Sequence, residues 1–136
     1  MHIEINDNTR LSQIQETFSN FYPFLEIRFY KKAHKKYESS DERNLISPEY
    51  TIGEVKQTHV SAVLEMQPHS KVAEVEKEFL QRFGLSVQIL RKEKNDFVQT
   101  TGMDDFTLKE LNEFGRNSSD DFIVSDYEEG FEENPE

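Results

Sequence analysis

The sequence predicts an α+β fold, a two-layer sandwich with helices on one face of a mostly antiparallel sheet, and three observations predict it. Short runs alternate apolar and polar residues as half-buried strands do, and other stretches space apolar residues three and four apart as packed helices do. The whole pattern also occurs twice. Thr9-Arg10-Leu11-Ser12-Gln13-Ile14 and Phe18 align without gaps on Ser70-Lys71-Val72-Ala73-Glu74-Val75 and Phe79. After a one-residue offset near Pro23 and Gly84, Leu25-Glu26-Ile27-Arg28-Phe29-Tyr30-Lys31-Lys32 runs against Leu85-Ser86-Val87-Gln88-Ile89-Leu90-Arg91-Lys92. Glu49-Tyr50-Thr51-Ile52-Gly53-Glu54-Val55 then matches Asp105-Phe106-Thr107-Leu108-Lys109-Glu110-Leu111, and Ile3-Glu4-Ile5 matches Leu64-Glu65-Met66. A unit of about 60 residues is small for an independent domain. The two β-α-β units, at about 1–57 and 60–115, are therefore expected to share one core in a ferredoxin-like arrangement with internal duplication.

Each element follows from its pattern. Ile3 and Ile5 face one side of the first strand and His2 and Glu4 the other; Val60, Ala62, Leu64 and Met66 oppose Ser61, Val63 and Glu65 in its counterpart. Leu11, Ile14, Phe18 and Phe21 or Tyr22, then Val72, Val75, Phe79 and Phe83, form helical stripes. Pro23 stops the first helix, and Gly84 offers the left-handed position that closes the second. The following strands turn Leu25, Ile27 and Phe29, or Leu85, Val87 and Ile89, inward. A turn at Glu93-Lys94-Asn95 leads into a strand from Asp96 to Thr101, while residues 33–47 are polar, with a short strand at Asn44 to Ile46 the one candidate element. Thr51-x-x-Glu54 and Thr107-x-x-Glu110 both fit a capping box that opens a short helix.

Composition narrows the function classes. With no cysteine among 136 residues, disulfide frameworks, cysteine-ligated metal centres and thiol nucleophiles are excluded. The start of the chain has neither a basic region nor an apolar run, and no stretch approaches the roughly 18 apolar residues of a membrane span, which predicts a cytoplasmic protein without membrane contact. The formal charge of −11 is unevenly spread: residues 116–136 hold eight acids and one base. They form an acidic tail, expected to be disordered because it cannot bury enough surface to fold alone, attached to a single domain at 1–115.

Four sets of residues are candidates for chemistry or binding. If the first strands of the two units lie side by side, Glu4 and Glu65 meet on the face turned from the helices, with Arg28 and Gln88 extending that polar surface into a ligand or ion site. The plainer reading is a solvated sheet face with cross-strand charge pairs. Lys31, Lys32, Lys35 and Lys36 form one basic cluster and Arg91, Lys92 and Lys94 another, at equivalent places in the repeat. In a chain of net negative charge they predict solvated edges at opposite ends of the sheet and no nucleic-acid groove. His2, His34, His59 and His69 lack metal-ligand spacing, Asp104-Asp105 suits a helix N-terminus, and the five glycines are isolated, so neither metal nor cofactor is expected. In the tail, Phe122, Ile123, Val124, Tyr127 and Phe131 are candidate anchors for a partner groove, or for the chain's own Lys31–Lys36 cluster, with the acids steering toward basic surface; a purely solubilising tail is the plainer reading.

The run Phe83-Gly84-Leu85-Ser86-Val87-Gln88-Ile89-Leu90-Arg91-Lys92, then Phe97-Val98-Gln99-Thr100-Thr101 and Phe106-Thr107-Leu108-Lys109-Glu110-Leu111-Asn112, resembles small bacterial α+β proteins of unassigned function over about a quarter of the chain. The resemblance implies a bacterial, cytosolic setting and carries over no activity, cofactor or site residues. The expected function is a non-catalytic protein-interaction domain whose partner is another protein, with a homodimer through edge strands compatible with the symmetry. The alternative is a domain that senses a small molecule or ion near the pseudo-two-fold, and a carboxylate hydrolase ranks third.

Overall fold

A computed structural model describes residues 1–31, 41–56 and 61–119. In chain order these are β1 (His2–Asn6), α1 (Leu11–Phe21), β2 (Leu25–Tyr30), a 3-10 turn (Glu42–Asn44), α2 (Ile52–Val55), β3 (Ser61–Glu65), α3 (Val72–Glu78), a π turn (Phe79–Phe83), β4 (Ser86–Glu93), β5 (Asp96–Gln99) and α4 (Leu108–Ser118). The α+β class is as expected. The single ferredoxin-like sheet is not: the strands form two antiparallel sheets, β1-β3 and β2-β4-β5. β1 and β3 do lie side by side, but β2 takes β4 rather than β3 as its hydrogen-bonding partner. β4 therefore pairs on both sides, and β5 folds back on it through a turn at Lys94, whose φ is 55°.

One core joins both halves. Ile5, Leu11, Ile14, Phe18, Leu25, Ile27 and Phe29 from the first pack with Leu64, Val72, Val75, Phe79, Phe83, Val87 and Ile89 from the second. At its centre Phe29 meets Phe79 edge to face at 5.9 Å, and Phe79 meets Phe83 at the same distance. The π turn keeps both rings of α3's continuation in the core, and Gly84 closes it at φ 66°, the left-handed conformation expected of it.

The helix starts explain how so short a chain holds its elements together. The first N–H groups of a helix have no partner within it. Here two helices satisfy each other's: Leu11 and Ser12 of α1 donate to the carbonyls of Tyr50 and Pro48, while Ile52 and Gly53 of α2 donate back to Thr9 and Asp7, at 2.8–3.0 Å. The second half repeats this: Val72 and Ala73 of α3 donate to Phe106 and Asp104, and Leu108 and Lys109 of α4 donate to Ser70 and Pro68, all at 2.9 Å. Asn6 N–H donates to the Thr9 hydroxyl and Gln67 N–H to that of Ser70. Both expected capping boxes are present, Thr51 with Glu54 and Thr107 with Glu110.

Two elements differ from expectation. The candidate strand at Asn44 to Ile46 is a 3-10 turn followed by a single bridge, Tyr30 to Leu45, along the open edge of β2. α4 continues through Ser118, three residues into the stretch read as tail. No helix among the described residues is long and apolar enough to cross a membrane.

Candidate functional site

The four residues read as a ligand site divide between the two sheets. In the β1–β3 register His2 faces Glu65 and Glu4 faces Val63, so Glu4 and Glu65 share an exposed face as diagonal neighbours rather than as a facing pair. Diagonal positions are about 7–8 Å apart, and both carboxylates stand in solvent. Arg28 and Gln88 face one another in the other sheet, because β2 pairs with β4. They do not extend the Glu4–Glu65 face. Gln88 is 1% exposed, its amide donating to the Ile89 carbonyl and, at 3.5 Å, to the Thr100 hydroxyl. Arg28 is occupied by Glu26 and lies 4.0 Å from Glu42. No group of three or more potential metal ligands forms among the described residues.

Glu42 organises the outer face of β2. It accepts from the Tyr30 hydroxyl at 3.0 Å and from the Gln99 amide at 2.9 Å. Burial, reinforced by the hydrogen bond to Glu42, pushes the Tyr30 phenol well above its ordinary pKa of 10.0 and keeps it a donor. This network tethers the 3-10 turn to the sheet.

Lys31 and the Arg91, Lys92 and Lys94 cluster stand apart, as the antiparallel pairing of β2 and β4 requires: Leu25 faces Arg91 and Tyr30 faces Ser86, so Lys31 and Lys92 leave opposite ends. Arg91 pairs with Glu93 at 3.0 Å and lies 4.7 Å from the centre of the Phe114 ring. Lys94 occupies the β4–β5 turn. Lys31 is exposed. Lys32, Lys35, Lys36, His34, His59 and Val60 lie outside the described residues, as do the tail anchors Phe122, Ile123, Val124, Tyr127 and Phe131. His2 and His69 are exposed.

A concavity with room for a ligand lies elsewhere. A groove of about 680 Å³ opens beside the end of β2, between residues 45–50, α2 and the start of β4, lined by Tyr30, Lys31, Leu45, Tyr50, Lys56 and Leu85. Two of its apolar side chains face water, Leu45 at 39% and Tyr50 at 49% exposure. Neither the Lys31 nor the Lys56 ammonium forms an ion pair among the described residues, and Lys56 reaches across Gly84, where an added methyl group would collide with its Nζ. Glu54, on the same wall, is held by its capping box, whose hydrogen bonds depress its pKa.

The sequence reading did not single out Leu45, Tyr50 or Lys56. A signal was available. After matching capping boxes the second half continues a helical stripe through Leu108, Leu111 and Gly115, whereas the first passes from Val55 into Lys56-Gln57-Thr58. The first helix stops after one turn, and the groove is the space beside that stop. The chain matches no protein-family model, no curated protein and no solved structure.

Proposed function

We propose that this chain is a non-catalytic protein-interaction module, made of two copies of one β-α-β unit, and that the groove beside α2 is its recognition surface. The recurrence of the same backbone hydrogen bonds at the starts of both helix pairs supports the duplication. The observation that carries the binding reading is the pairing in one concavity of exposed apolar side chains, Leu45 and Tyr50, with two cations, Lys31 and Lys56. Apolar anchors flanked by charge are how peptide grooves combine affinity with steering. Affinity capture with the full chain tests it: Leu45→Asp with Tyr50→Ala should release a partner that wild type holds, while Val63→Asp, on exposed β3, should keep it. A partner retained by the groove variant overturns the proposal.

The groove's volume favours a second reading, since small-molecule sites typically measure about 300–1,000 Å³. On that reading the domain senses a metabolite or ion in this groove rather than beside Glu4 and Glu65. A ligand that binds only the folded state raises Tm. A metabolite whose Tm shift disappears in Tyr50→Ala would favour sensing over protein recognition.

A further inference from the structure

The two halves place different things in equivalent space, and this says what the groove is shaped to hold. In the second half, the latter part of α4 lies against the start of β2 and the end of β4: Phe24 N–H donates to the Asn112 side chain at 2.9 Å, and a methyl group on Gly115 would stand 2.8 Å from the Phe24 carbonyl oxygen. Phe114 sits over Arg91 and meets Phe106 edge to face at 6.2 Å. By the internal alignment Arg91 corresponds to Lys31, Phe106 to Tyr50, Phe24 to Gly84 and Asn112 to Lys56. All four counterparts line the groove. Among the described residues the first half therefore keeps the cation and the aromatic ring that flank Phe114 but sets no ring between them, since α2 ends at Val55.

The geometry points to the chain's own C-terminal segment, residues 127–133, as the occupant, its Phe131 or Tyr127 ring taking between Lys31 and Tyr50 the place that Phe114 takes between Arg91 and Phe106. This rests on the groove being the recognition surface and names what regulates access to it. Two further facts select the segment. Residues 120–136 contain eight acids and no base, so an aromatic ring there arrives with Glu128, Glu129, Glu132 and Glu133 to face Lys31 and Lys56. Reach selects within them. Lys94 N–H donates to the Ser118 carbonyl, which puts the end of α4 at the β4–β5 turn, while the groove lies past the other end of β4 at Gly84 and Leu85. At about 3.3 Å per residue β4 and its flanks separate the two by about 30 Å. An extended chain covers at most about 3.3–3.6 Å per residue, so roughly nine residues beyond Ser118 are needed. Phe122, Ile123 and Val124 fall short, Tyr127 is the first ring to arrive and Phe131 lies within range. A bound segment would exclude any partner from the groove until the partner outcompetes it.

The native chain has no cysteine, so Asn134→Cys in the full-length protein carries a single nitroxide without other changes. In a sample diluted with excess unlabelled protein, the amide NMR signals of Leu45, Tyr50, Lys56 and Gly84 should lose most of their intensity. They should regain it when Phe131 and Tyr127 are changed to Ala in the labelled chain, and separately with Lys31→Glu and Lys56→Glu, which alter only surface charge. Full intensity at these amides in the labelled wild type, losses that survive the aromatic changes, or losses that vanish as unlabelled protein is added, which marks the tail of a second copy, each overturn the inference. Undiminished signals together with partner capture that still depends on Leu45 and Tyr50 remove this inference alone. Diminished signals with a partner indifferent to those residues remove the interaction reading and leave the intramolecular contact.

Discussion

α2 and α4 begin alike and end differently. Both open with a threonine whose hydroxyl accepts from the N–H three residues on, and both exchange backbone hydrogen bonds with the start of another helix, α2 with α1 and α4 with α3. α2 then stops after Val55, while α4 runs through Ser118 and lies along the β2-β4-β5 sheet. The shared part is what any such unit needs in order to have satisfied helix ends. The unshared part decides whether the flank beside the sheet is filled, by Phe114 and Gly115, or open, as the groove at Tyr50 and Lys56. In this molecule the difference between the two flanks comes from helix length rather than from a different core.

If the halves truly share that core, removing the matched rings should give matched losses. Phe18 and Phe79 align when the two halves of the sequence are matched, and both are fully buried. Phe18→Ala and Phe79→Ala should each cost about 3–5 kcal/mol in urea unfolding, with one cooperative transition. Separate transitions, with each substitution moving one of them, would show two cores and break the comparison. Gly115→Ala comes next. The added methyl meets the Phe24 carbonyl oxygen and lies 3.3 Å from Lys92 N, both backbone atoms that cannot swing aside. The expected cost of forcing them apart is about 1–3 kcal/mol, more than the gain of up to about 1 kcal/mol in helix propensity. A stabilised Gly115→Ala would mean that α4 is not seated as described.

How far these features were legible beforehand depended on whether the pattern was local. Helix stripes, the stop at Gly84 and both capping boxes rest on residues within a few positions of one another, so spacing alone revealed them. Sheet partnership is not local. The alternation in β2 and β4 showed which side chains turn inward but nothing about which strands adjoin, and Glu4, Glu65, Arg28 and Gln88 were read onto one face when they belong to two sheets. Gln88 alternates as an outward polar residue and is nevertheless buried, its amide bonded to Ile89 and Thr100. The groove was illegible for a related reason. Tyr50 and Lys56 look like ordinary surface residues until the folded chain brings Gly84 and Leu85 beside them.

The finest test of the comparison lies in the capping boxes. Thr51→Ala and Thr107→Ala each remove one N-cap hydrogen bond, worth about 1 kcal/mol, and should cost similar amounts if the two helix starts are equivalent. A Thr51 variant costing far less would mean that the single turn of α2 is held by its backbone bonds to Thr9 and Asp7 rather than by its cap. The carboxylates give an independent reading through pH. Hydrogen bonds from the backbone and hydroxyl of Thr51 and Thr107 lower the pKa of Glu54 and Glu110 below the ordinary 4.5. As pH falls, the unfolded chain therefore takes up these two protons before the folded chain does. The contribution of each carboxylate is complete above 4.5 and is lost as pH falls through the folded value. Glu54→Gln and Glu110→Gln keep a side-chain acceptor and remove the titration, so each should flatten the acid limb of stability against pH by the same small amount. Unequal flattening would place the difference between α2 and α4 at their first turn as well as at their last.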